Sequence, residues 1–399
     1  MSKRITAAGR LALGLLGLAF ALAAPAQHAE HGAAKVKKRA PALGIGAAFS
    51  PSGELWVVAL DEQQRLTLRT SADQGKTWAP PRVLERGDDA ISADGENRPK
   101  IAFGPQGRVV ISYTQPLAKP YSGAIRMLRS SDGGRSFSAP FTVHADRQII
   151  THRFESIAFD AQGTLHTLWI DKRDLEAAAS KKDYRGAAIY RNESRDGGAS
   201  FGPDIKLADH SCECCRIALA PSPDGSLAAM WRHVFAPNQR DHAFALLGAP
   251  AKAEPVRASL DHWAVDACPH HGPGLTPAAQ GGYHAVWFGE RAGTPAVRYG
   301  RLAADGSPQG EARPLPDDGA EHADLISAGA KLAIVWRSYD GRVTRLRAWL
   351  SRDDGRSFVL QELDSSSDDN DHPRLVRHGE RLFALWHTTK GIHVHALLP

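Results

Sequence analysis

Hydrophobic and polar positions alternate along this chain in seven similar bursts, each opening on a turn glycine and running into a short apolar strand. The glycines are Gly53, Gly107, Gly163, Gly225, Gly281, Gly329 and Gly379, spaced 48 to 62 residues apart. The strands that follow include Leu55-Trp-Val-Val-Ala-Leu60, Leu165-His-Thr-Leu-Trp-Ile170, Leu227-Ala-Ala-Met-Trp-Arg232 and Leu382-Phe-Ala-Leu-Trp-His387. Near-equal repeats of this length, rich in β-formers and punctuated by turns, predict a closed ring of small sheets. Trp169, Trp231, Trp287, Trp336 and Trp386 fall in one column and are expected to pack between neighbouring sheets. The seventh repeat stops after Gly391-Ile-His-Val-His-Ala-Leu-Leu398, one strand short. Residues Val36 to Leu43 could supply that missing strand and hide the open edge.

A second repeat supports the first. Ser71-Ala-Asp73-Gln-Gly75-Lys-Thr77-Trp78 returns as Ser130 to Phe137, Ser194 to Phe201 and Ser351 to Phe358, always as Ser-x-Asp-x-Gly-x-Ser/Thr-aromatic. The Asp and Gly suit a tight turn, and the aromatic can pin it to apolar surface. The phrase resembles the Asp-box (BNR repeat) of the sialidase-like β-propeller superfamily. That resemblance implies an all-β, sialidase-type propeller, with seven blades favoured over six on the glycine count. The motif marks blades and carries no chemistry. For activity, the resemblance implies an exo-α-sialidase or related glycoside hydrolase as an alternative function. Such an enzyme needs three arginines, a tyrosine nucleophile activated by a glutamate, and an aspartate acid/base. Asn97-Arg98-Pro99-Lys100 matches the family's Arg-Ile-Pro entry only in part, and Arg153, Arg298 and Tyr299, with Glu290 or Glu155, have no compelling spacing. Sialidase activity is therefore not expected.

The amino terminus changes the reading of charge. Lys3, Arg4 and Arg10 precede an apolar run from Leu11 to Ala23, and Ala24-Pro-Ala26 follows, the layout of a cleaved signal peptide over residues 1–26. Residues 27–42 then form a tail or ring-closing strand, and 43–399 a single propeller. The formal charge of +5 falls to +2 without the three leader cations, so nucleic acid is not an expected partner. The expectation is a periplasmic or secreted monomer, off the membrane once the leader is removed. Its expected partner is a metal ion; a second alternative is a metal-free scaffold on which a periplasmic protein docks at the Asp171–Gly186 insertion.

Candidate chemistry gathers where the inner strands begin. All inner strands of a propeller run the same way, so their first residues share one mouth of the channel. That column reads Leu43, Asn97, Arg153, Cys215, His271, His322 and His372, flanked by His152, Glu155, Cys212, Cys214, Cys268, His270, Glu321 and Asp371. Thiolates select Cu(I) or zinc, and imidazole suits Cu(II) and zinc. The expected ligand set is Cys212, Cys214, Cys215, Cys268, His270, His271, His322 and His372, with copper preferred and zinc as alternative. A disulfide from Cys268 to one of the other three, or between Cys214 and Cys215, competes with that reading. His28 and His31 read as solvated tail. His393 and His395 share one face of the last strand and read as surface.

Overall fold

The computed structural model describes residues 42–178, 184–248, 254–267 and 269–399. They form seven antiparallel sheets, each built from strands consecutive in sequence. The blades span residues 46–83, 100–142, 152–211, 218–257, 274–314, 321–366 and 374–397. Six blades have four strands; the seventh has three among the described residues. Inner strands Gly46–Phe49, Lys100–Phe103, His152–Phe159, Ala218–Pro221, Gly274–Pro277, Glu321–Ala328 and Arg374–His378 each touch the next, and the last touches the first. The ring is therefore closed, and the molecule is a seven-bladed β-propeller. The leader expected over residues 1–26, His28, His31 and residues 36–41 of the segment expected to close the ring lie outside the described residues.

The core is divided among the seams. Seven apolar clusters each draw on two adjacent blades, including the pairing of blade 1 (Ile45, Leu55, Val57) with blade 7 (Val376, Phe383, Leu385). Second strands such as Leu55–Leu60 and Leu165–Asp171 are buried throughout, because both of their faces meet a neighbouring sheet. The five column tryptophans are all buried in these seams. Four also place the indole N–H on an acidic residue: Trp169 on Asp171, Trp287 on Asp261, Trp336 on Asp317, and Trp386 on the Asp371 carbonyl.

All four Asp-boxes make one set of bonds. In the first, Ser71 Oγ donates to Asp73 Oδ1 at 2.8 Å and accepts from the Gly75 N–H at 2.7 Å, while the Thr77 hydroxyl donates to Asp73 Oδ2 at 2.6 Å. Hydrogen bonds from Thr77 draw the Asp73 pKa down to about 2. The box also seals a seam. Gly355 has φ +78°, and a Cβ there would stand 2.1 Å from the Tyr299 hydroxyl of the preceding blade. Gly355→Ala is accordingly expected to cost about 1–3 kcal/mol, combining left-handed strain with a clash. A lowered midpoint in urea checks this; an unchanged midpoint counts against the seam role.

Candidate metal centre

Three thiols meet at the seam between blades 3 and 4. Cys212, Cys214 and Cys215 follow the last strand of blade 3 and precede Ala218–Pro221, and all are buried among Phe154, Ile217 and Trp231. Their sulfurs stand 3.8, 3.8 and 4.0 Å apart, within reach of weak thiol hydrogen bonds and too far for a disulfide between any two of them. The segment holds its shape through backbone bonds, the Cys212 N–H donating to the Arg232 carbonyl at 2.9 Å. Arg240 Nη1 lies 3.7 Å from Cys212 Sγ and brings positive charge to the sulfurs. A hydrogen bond with Cys212, then burial, pushes the Cys215 thiol far above its ordinary pKa.

Beside this pocket, across the channel mouth, His271, His322 and His372 stack as a staircase from blades 5, 6 and 7. Ring centroids are 4.1 Å apart for the first step and 3.4 Å for the second. Glu96 faces them, its Oε1 3.5 Å from His322 Nδ1 and 3.7 Å from His372 Nδ1. The Nδ1 atoms of all three histidines are buried without a hydrogen-bond partner. Glu321 Oε2 lies 3.7 Å from His322 Nε2. Desolvation pushes the His271 pKa down to about 3 and that of His372 well below its ordinary value, so both are neutral imidazoles at pH 7. Burial opposes ionisation of Glu96, but the Arg216 guanidinium together with the facing His322 and His372 outweighs it and holds the carboxyl well below its usual range. Gly95, at φ +49°, makes room: a Cβ there would meet His372 Cε1 at 2.9 Å.

Of the ligand set expected from sequence, the structure brings together Cys212, Cys214 and Cys215 as one group and His322 and His372 with Glu96 as another. His271 joins His322 and Glu321. His270 is exposed and joins neither group, and Cys268 lies outside the described residues. The sulfurs and imidazoles thus form two neighbouring sets rather than one. Arg216 connects them: it follows Cys215 in the chain, and its Nη1 donates to both carboxylate oxygens of Glu96, at 3.0 and 2.9 Å.

Sequence reasoning passed over Glu96, Arg216 and Arg374 and weighed Arg98 only as part of a glycosidase-like motif; all four stand one or two residues from the column it identified. They line a channel cavity of about 560 Å³ that also includes Lys100, Thr276, Asp324, Ser327 and Arg377. The axis therefore holds more cations than the Cys, His and Glu inventory suggested. Most are matched by a carboxylate: Arg98 with Asp371 at 2.6 Å, Arg216 with Glu96, Lys100 with Glu155 at 3.3 Å, and Arg374 with Asp324 at 3.6 Å. Of the residues considered for glycoside hydrolysis, Arg98 and Lys100 line this cavity and Glu155 pairs with Lys100, whereas Tyr299 and Arg298 lie elsewhere. Tyr299 is buried between blades 5 and 6, bonded to His284 Nδ1 at 2.8 Å and packed on Phe358 of an Asp-box. Arg298 is buried beside Asp261 at 3.3 Å. The insertion expected as a docking loop begins with a short helix, Arg173–Ala177, and buried Asp171 is clamped by Arg173 at 2.7 Å.

No protein-family model matches the chain, and no curated relative does. Solved structures share its fold. An ulvan lyase of polysaccharide lyase family PL25 superposes with a TM-score of 0.55 at 11% identity, covering 88% of this chain and 91% of its own. The polysaccharide lyase Uly1 gives 0.56 at 10% identity, over 89% and 90%. YCF48 bound to D1 peptide gives 0.51 at 16% identity, over 90% and 94%. At these identities the likeness is one of architecture, and at that level the chain is a β-propeller.

Proposed function

We propose that this propeller is an exported metal-handling protein that binds one Cu(I) ion on Cys212, Cys214 and Cys215, with zinc as the competing ion. The observation that carries this reading is the triangle of sulfurs. An ion at its centre stands about 2.2 Å from each sulfur, the side divided by the square root of three, close to an ordinary metal–thiolate bond of about 2.3 Å. Three soft donors in one plane favour Cu(I), and the buried apolar surround excludes competing water. The neutral imidazoles of His271 and His372, with His322 and ionised Glu96, supply a harder donor set suited to Cu(II) or zinc. Export rests on the amino-terminal sequence pattern. In an oxidising compartment, bound Cu(I) would itself guard the thiols from disulfide exchange.

Titration of the thiol-reduced protein with Cu(I) against a chromophoric chelator tests the reading. One tight equivalent per chain is expected, with the three thiols protected from alkylation. No binding beyond that of a surface-histidine control would sink it.

Affinity should also depend on pH. Because Cys215 is held protonated in the empty pocket, Cu(I) must displace its proton, and the apparent affinity should rise by about tenfold per pH unit through neutrality for each proton released. A flat profile between pH 6 and 8 would mean the thiol is already ionised.

A further inference from the structure

A separate cluster sits on the rim, away from the channel. Asp364 lies in the outermost strand of blade 6, Val359–Ser366, and His393 and His395 lie in Gly391–Leu397, the outermost described strand of blade 7. Two residues apart on one strand, the histidines project to the same side, and both reach one oxygen across the seam. His393 Nδ1 is 2.7 Å and His395 Nε2 3.2 Å from Asp364 Oδ2. The other carboxylate oxygen accepts the Ser365 N–H at 2.7 Å. Among the described residues no lysine or arginine pairs with Asp364.

One histidine would satisfy that oxygen. Two imidazoles converging on it from consecutive same-face positions supply more donor capacity than the carboxylate uses, in the spacing that metal ligands adopt. All ligand atoms lie within 4.8 Å of one another. The side chains are 35%, 25% and 20% exposed for His393, His395 and Asp364, so a bound ion would keep open positions for water.

We propose that Asp364, His393 and His395 form a divalent transition-metal site that clamps blade 6 to blade 7 beside the three-stranded sheet. Two imidazoles and one carboxylate are the donor set of zinc, Cu(II) or nickel rather than of Cu(I), magnesium or calcium. An ion there binds only when blades 6 and 7 are docked, because residues from both must meet, and it therefore stabilises the folded state by mass action.

Zn(II) is the probe, added to the full chain and followed by calorimetric titration and thermal unfolding. The wild type is expected to bind one equivalent more than His393→Ala/His395→Ala, and to show a zinc-dependent rise in Tm that the double variant loses. Asp364→Asn should weaken that equivalent at least tenfold, and Cys215→Ser should retain it, which separates this site from the thiol pocket. All four side-chain changes are partly exposed or conservative, and metal-free Tm values check folding. Equal stoichiometry and equal zinc shifts in wild type and double variant would overturn the proposal.

Discussion

Replacing Cys212, Cys214 or Cys215 singly with serine is expected to lower Cu(I) affinity by at least 100-fold. Each substitution removes one of three sulfurs whose mutual distances are 3.8 to 4.0 Å, and a serine hydroxyl is a hard, protonated donor that Cu(I) does not favour. The three substitutions should be similarly severe, since no sulfur of the triangle is peripheral. His270→Ala should leave Cu(I) binding nearly unchanged, because that side chain is exposed and outside both donor sets. His372→Ala should weaken Cu(II) or zinc more than Cu(I). The same chelator competition reads all five proteins. Retention of wild-type Cu(I) affinity by any of the three cysteine variants would contradict a three-sulfur site.

The second large effect concerns the ring itself. Arg98 forms a two-pronged pair with Asp371 at 2.6 and 2.9 Å and also donates to the carbonyls of Gly95 and Ile45, tying blades 1, 2 and 7 together. Both partners are buried, and burial already pushes the Asp371 carboxyl up. Arg98→Ala should therefore destabilise the protein by about 3–5 kcal/mol, because it strands a buried carboxylate. That is a large part of the roughly 5–15 kcal/mol of a typical domain. Arg98→Met with Asp371→Asn should recover part of the loss. Urea midpoints for the two proteins decide the matter; a single variant within about 1 kcal/mol of wild type would show that the pair is dispensable.

Much of this architecture was legible because local chemistry repeats. A turn glycine with positive φ, such as Gly107 at +72°, must be followed by a strand that alternates or buries both faces, and that signal returns seven times. The Asp-box is equally local, all its hydrogen bonds lying within four residues of one another. Cysteines and histidines at the strand starts were visible for the same reason. The division into a sulfur set and an imidazole set was not, since it depends on which way each loop turns before its strand. Glu96 and Arg216 are 120 residues apart, and Arg98 and Asp371 are 273 apart. Charged residues at such separations read as solvated until ring closure buries them together. Asp364 escaped notice likewise, because nothing in the last strand points to a partner 29 and 31 residues earlier on another blade.

X-ray absorption at the copper edge of the Cu(I)-loaded protein tests the central claim most directly. The account predicts a first shell of three sulfurs at about 2.2–2.3 Å with no nitrogen or oxygen neighbour. A shell dominated by imidazole nitrogen, or one with a single sulfur, would contradict it.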